Sequence, residues 1–155
     1  MEIITDLKNK ILTSKTSPVD HITSEIKTLA SDMFETMIKN KGVGLSANQV
    51  GYPLSLIVFS DIDHEKRYVL INPKIISLSK TKCKIEEACL SVPGLWGEVI
   101  RPEKITLEAK NLSGKKVKYK FDDVLARIVQ HELDHLEGIL FIQKAESTYK
   151  NSKHQ

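Results

Sequence analysis

Five short stretches rich in β-branched residues, at 55–59, 67–71, 75–78, 98–101 and 105–109, follow one another with no helical pattern between them. The turn sequence Asn111-Leu112-Ser113-Gly114 then leads into a sixth stretch at 117–121. Parallel strands need long, usually helical crossovers, so strands in direct succession argue for antiparallel pairing. Helical periodicity flanks this block on both sides. Upstream, Ile22, Ile26, Leu29, Ala30, Met33, Phe34, Met37 and Ile38 recur at spacings of three and four, with Asp20 as the expected cap and Gly42 past the end. Downstream, Val124, Leu125, Ile128, Val129, Leu133 and Leu136 repeat the pattern. Asp122 and Asp123 suit the positive end of that helix, and Gly138 suits its stop. The expected class is α+β.

A chain of 155 residues would give two undersized cores if divided, so residues 1–150 are expected to form one domain and 151–155 a flexible tail. With 41% hydrophobic and 28% charged residues the composition is globular, which excludes a disordered or fibrous chain. The longest apolar runs, at 56–59 and 68–71, are strand-sized against the roughly 18 residues of a membrane span, so no membrane association is expected. Residues 1–10 mix acids with lysines and lack the apolar stretch of a secretory signal, which leaves cytoplasmic residence as the expectation. The net charge of +3 is mild, and the lysines at 80–84 and 115–120 read as solvated strand faces. Aromatics, at 6%, barely accompany them, so no specific nucleic-acid partner is expected; weak attraction to a large anionic particle such as a ribosome fits the charge. Cys83 and Cys89 could close only a short loop, and a reducing cytosol argues against a disulfide between them.

His131 and His135 lie four apart on the downstream helix, so both imidazoles emerge on one face, a turn apart and close enough to bind a single metal ion. Glu132 sits one residue round from that face. There it is better placed to take a proton from an activated water than to ligate, which is the H-E-x-x-H logic of metal-assisted hydrolysis. The same pattern alone is also compatible with a capped, solvated helix. A catalytic site of this kind needs a third protein ligand and one open position. His21, His64 and His154 read as surface residues. Cys89, after Glu86 and Glu87 and before Leu90-Ser91-Val92-Pro93-Gly94, is a more interesting candidate, with a small buried hydrophobe as its other reading. Were it the third ligand, one thiolate and two imidazoles would suit zinc or iron alike.

Three separated blocks resemble the peptide deformylases, enzymes that remove the formyl group from the initiating methionine of new chains. Gly42-Val43-Gly44-Leu45-Ser46-Ala47-Asn48-Gln49-Val50-Gly51 is similar to the family's G-x-G-L-A-A-x-Q loop, and Glu87-Ala88-Cys89-Leu90-Ser91 to its E-G-C-L-S segment. Gln130-His131-Glu132-Leu133-Asp134-His135-Leu136-Glu137-Gly138 matches Q-H-E-x-D-H-L-x-G throughout. The resemblance implies a single catalytic domain of antiparallel sheets packed around a central helix carrying the HExxH motif. It implies that Cys89, His131 and His135 bind one divalent metal ion, iron(II) in the cell, with zinc, nickel or cobalt able to occupy the site. Glu132 would be the general acid and base, and the Gln49 side-chain amide and the Leu90 backbone N–H would donate to the oxyanion. The implied substrates are N-formylmethionyl nascent peptides, bound beside Val43, Gly44, Ala88 and Ile128, and the implied state is a monomer.

The sequence departs from the family pattern at Ser46, usually alanine, and at Ala88, usually glycine. The added methyl at Ala88 could shift a substrate that binds by strand addition, lowering turnover or altering specificity, with no ligand lost. Arg101 is similar to the basic residue that pairs with Glu87 in relatives. Asp134 either orients a ligating histidine or stays solvated, and Arg127 either narrows the methionine cavity or reaches solvent. The chain stops soon after Lys150, so a ribosome contact through a long carboxy-terminal helix is not expected. Besides a nucleic-acid binder on the lysine clusters, which the few aromatics disfavour, two other functions compete with this one. A zinc endopeptidase would normally draw a downstream ligand, for which only Glu137, Glu146 and His154 remain; a binding module that keeps the fold without activity would trace to Ala88.

Overall fold

A computed structural model describes residues 1–150. The expected tail, 151–155, and His154 with it, lies outside the described residues. A one-turn helix, α1 (Lys10–Thr13), precedes the first amphipathic helix, α2 (Ser24–Lys39). Its cap is Thr23, whose hydroxyl accepts from the Ile26 amide, and not Asp20. A cap must sit directly against the first turn, and Asp20 lies too far upstream. The end of α2 folds as expected, with the Gly42 amide donating to the Met37 carbonyl.

Strands β1 (Gly44–Ser46), β2 (Leu56–Ser60), β3 (Arg67–Leu78), β4 (Lys82–Cys89), β5 (Val92–Pro102), β6 (Lys104–Lys110) and β7 (Lys116–Asp122) follow, then α3 (Asp123–Leu136) and β8 (Thr148–Lys150). One sheet has the order β1-β2-β3-β6-β7 and the other β4-β5-β8, and every neighbouring pair is antiparallel. The stretches at 67–71 and 75–78, read as two strands, are one. They join through Asn72 and Pro73, where the register against β6 shifts; a bulge is where a sheet tolerates a proline without an amide. β4 had no legible signal because Lys82, Lys84 and Glu86 put charge on its exposed positions, while β1 and β8 are too short to show periodicity.

Helix α3 packs Ala126, Ile128, Val129 and Leu133 onto one face of the larger sheet, against Ile57, Phe59, Leu70 and Leu107. Helix α2 covers the other face over β1 and β2, burying Met33 and Met37 with Leu45, Leu56 and Val58. β2 is therefore buried at all five positions, which is why its sequence reads as a continuous apolar run. Cys89, Val92, Val99 and Phe141 pack together beneath the smaller sheet. The mixed α+β class with antiparallel sheets is thus borne out, with residues 131–135 on α3. Among the described residues, no helix is long and apolar enough to cross a membrane.

Candidate active site

Residues 127, 131 and 135 share one face of α3, and that face turns inward. His131 and His135 are both buried, with ring nitrogens Nε2 3.2 Å apart. Cys89 ends β4 where the register against β5 shifts after Glu87, and that irregularity re-aims its side chain toward α3. Its Sγ lies 3.3 Å from His135 Nε2, and the three donor atoms fall within 4.8 Å of one another. Bond lengths of about 2.0–2.1 Å to nitrogen and about 2.3 Å to sulfur put tetrahedral ligands about 3.3–3.6 Å apart. The donor set fits a cation. His131 Nδ1 hydrogen-bonds Glu87 Oε1 at 2.9 Å, so in the neutral tautomer its Nε2 lone pair faces the centre. The two imidazoles differ in basicity. Burial opposes charge on both, but hydrogen bonds to Cys89 and Glu87 hold His131 well above the usual range, and burial together with charged His131 pushes His135 well below it.

Glu132 is buried beside this point, and its Oε2 has no hydrogen-bond partner. Burial raises its carboxyl to about 7, against the opposing pull of His131. A Cβ at Gly44 would lie 2.5 Å from Glu132 Oε1, so the absence of a side chain there is what lets β1 approach the carboxylate. Gln49 belongs to a single tight helical turn, Ala47–Val50. Its Oε1 accepts from the Ser46 amide at 3.0 Å and the Ser46 hydroxyl at 2.9 Å, while Nε2 donates to Ser91 Oγ at 3.1 Å and reaches Cys89 Sγ at 3.5 Å. Ser46, a departure from the family pattern, thus adds an anchor that fixes which end of the amide faces the site.

Glu87 is saturated. Arg101 donates through Nε to Oε2 at 2.6 Å and through Nη2 to Oε1 at 2.9 Å, and Arg127 Nη1 donates to Oε2 at 2.7 Å. Burial would raise this carboxyl, but the bonds from His131 and Arg101 outweigh it and hold it well below the usual range. The expected Glu87–Arg101 pair is present. Asp134 is neither a histidine partner nor free in solvent: it binds Arg101 Nη1 at 2.8 Å and Lys144 Nζ at 2.9 Å, while Glu87 takes His131 Nδ1 and His135 Nδ1 is buried with no hydrogen-bond partner among the described residues. Of the two readings of Arg127 the structure excludes solvent: the side chain is buried, borders the cleft, and also donates to the carbonyls of Val99 at 2.7 Å and Cys83 at 2.8 Å. A signal for it existed in the sequence, since an arginine one turn before His131 on an inward face needs buried partners.

Val43, Gly44, Gln49, Ala88, Ile128 and Glu132 border one cleft of about 930 Å³, which Cys89, Leu90 and His131 also line. His135 lies deeper. Ala88 is exposed on the cleft wall, and its backbone is outside the left-handed region, so the methyl introduces no backbone strain. His21 is exposed and His64 bonds the Ser60 hydroxyl at 2.7 Å, and neither belongs to the cluster of Cys89, His131 and His135; both cysteines are free of disulfides.

A cysteine sulfur and two imidazoles around one point, with a buried carboxyl group at the foot of an open cleft, fit a metal-dependent hydrolase of the HExxH class. The sequence profile of the polypeptide deformylase family matches residues 1–151. A peptide deformylase of Desulforudis audaxviator is 42% identical over 150 residues, covering 97% of this chain and 97% of the relative. That of Chlorobaculum parvum is 42% identical over 149 residues, covering 92% of this chain and 79% of the relative. The crystal structure of a peptide deformylase from Synechococcus elongatus in complex with actinonin superposes with a TM-score of 0.90 at 35% identity, over 95% of this chain and 79% of that one. The chain belongs to the peptide deformylase family, whose reaction is the metal-dependent hydrolysis of the N-formyl group from the terminal methionine of newly made polypeptides, releasing formate.

Proposed function

We propose that Cys89, His131 and His135 hold one divalent cation, that Glu132 is the general acid and base, and that Gln49 Nε2 and the Leu90 N–H donate to the oxyanion. The observation that carries this is the convergence of the three donor atoms beside a buried carboxylate oxygen with no partner. Iron(II) is the native ion on this reading, with zinc, nickel or cobalt as substitutes. A cation held there supplies Lewis acidity and makes water nucleophilic at neutral pH. The chain's own residues do the rest. Glu132 takes the proton of the attacking water at Oε2 and returns it to the amine nitrogen as the C–N bond breaks, so formate and a free amino terminus leave together. A raised pKa suits both halves of that task. Gln49, its oxygen end tied by Ser46, holds its amide nitrogen between Ser91 and Cys89, and one of these N–H groups would turn to the oxygen where negative charge builds; loss of one such donor costs about 2.7–4 kcal/mol of barrier in comparable sites. Val43 and Ile128 offer apolar walls to the methionine side chain, and Gly44 and Ala88 flank the extended peptide. Residues 1–150 act as a monomeric catalytic unit in the cytoplasm, on nascent chains at the ribosome, with at most weak affinity for it.

The test is formate release from a formyl-methionyl tripeptide together with metal analysis. Glu132→Ala is expected to keep its metal and lose deformylation, whereas Cys89→Ala and a chelator each release the metal. Normal turnover by Glu132→Ala would remove the general-base role, and full metal content in Cys89→Ala would show that the third ligand is another residue.

A further inference from the structure

Helix α3 occupies one face of the larger sheet and α2 the other, but α2 reaches only β1, β2 and the adjoining part of β3. The alternate residues of β6 and β7 on that second face are exposed, apart from half-buried Thr106, and they are mostly lysine. Lys74 of β3, Lys104 and Lys110 of β6, and Lys116, Lys118 and Lys120 of β7 are all exposed. The register draws them into one field: Lys110 opposes Lys116, Glu108 stands between Lys118 and Lys74, and Lys104 opposes Asp122. Six lysines against two carboxylates leave a surplus of four positive charges on this face, more than the +3 of the entire chain. Among the described residues none of the six lysines makes an ion pair, whereas Lys84 on the smaller sheet pairs with Glu98 and Glu146. Like charges directly opposed across strands destabilise a sheet, as at Lys110 and Lys116, and a bound polyanion relieves that cost.

The pattern also speaks to the occupant. Lys116, Lys118 and Lys120 repeat every second residue, a spacing of about 6.8 Å, which suits an anion that repeats along a chain. The residues between them, Val117, Tyr119 and Phe121, face the core, where Tyr119 and Phe121 stack on each other and meet Tyr68 edge-on. The outer face of β6 and β7 therefore has charge without a platform on which bases could stack.

We propose that the exposed face of β3, β6 and β7 docks the phosphate backbone of RNA without regard to base sequence. The face lies on the side of the sheet away from α3 and its cluster, so this docking and the hydrolytic reading succeed or fail independently.

The probe is a fluorescein-labelled oligouridylate of about a dozen nucleotides, followed by anisotropy from 50 to 200 mM salt. Neutralising four phosphates gives a slope of about −3 in log K against log salt, or about a fifty-fold loss over that range. The variant Lys116→Glu/Lys118→Glu/Lys120→Glu is expected to lower affinity more than ten-fold and to reduce the slope by about two, with deformylation of a short formyl-peptide unchanged as proof of folding. The variant Lys8→Glu/Lys10→Glu/Lys27→Glu makes the same change in net charge elsewhere and is expected to bind within about three-fold of the parent. No binding at 50 mM salt, equal losses in the two variants, or competition by poly-L-glutamate or phosphatidylserine vesicles as effective as by RNA would each overturn the proposal.

Discussion

Replacing Arg127 by methionine keeps most of the side chain's volume and removes its charge. In the folded protein the guanidinium donates to Glu87 Oε2 and to the carbonyls of Val99 and Cys83, at 2.7, 2.7 and 2.8 Å. An unpaired buried carbonyl costs about 1–3 kcal/mol. Glu87 keeps Arg101 and His131, so its share falls short of the about 3–5 kcal/mol for a buried pair that loses its sole partner. Taken together the variant should lose about 3–5 kcal/mol, which for a chain of this size lowers the melting temperature by about 6–20 °C. Arg127→Lys should lie between, since one ammonium cannot span Glu87 and two carbonyls as a planar fork does. Denaturant unfolding of the chelated protein measures this without interference from bound metal. A second readout separates a clamp from mere filling: with Glu87 less fixed, His131 is held less well and metal affinity should weaken by about 10–100-fold in a chelator competition. A methionine variant within about 1 kcal/mol of the parent, or with unaltered metal affinity, would refute the role assigned to Arg127.

Two further outcomes follow from the same site. Glu132 is raised in the folded state to about 7 from 4.5, so the folded protein binds the extra proton and stability is lost as pH rises through that window. In the chelated protein this amounts to about 3 kcal/mol between the unfolded and folded pKa values, and Glu132→Gln should abolish that part of the slope; parallel pH profiles for the two proteins would contradict it. Gly44→Ala puts a methyl 2.5 Å from Glu132 Oε1 and should cut turnover by about a hundred-fold while metal content is retained, so activity within three-fold of the parent would show that the carboxylate does not need that approach.

Much of the site was legible because it is local. His131, Glu132 and His135 depend only on helical spacing, and the Gly42 to Gly51 and Glu87 to Ser91 blocks resemble the family's on sight. The strands flanked by apolar residues were legible for the same reason. β4 was not, although it delivers Cys89, because its exposed positions bear lysine and glutamate and its inward positions are too few to show a period. The place of Asp134 is not legible because its partners, Arg101 on β5 and Lys144 after α3, are brought to it by the tertiary fold. Arg127 was left open because its three acceptors come from β4 and β5, far away along the chain.

The amino-acid order by itself determined the two long helices, that the strands pair antiparallel, and that two imidazoles and a carboxylate share a turn, since each is a property of neighbours within a few residues. Folding alone decided that a bulge turns Cys89 toward α3, that Glu87 is gripped from three sides, and that α2 leaves the lysines of β6 and β7 in water. Those outcomes depend on register and on where one layer ends over another, and periodicity along a single strand or helix carries no record of either.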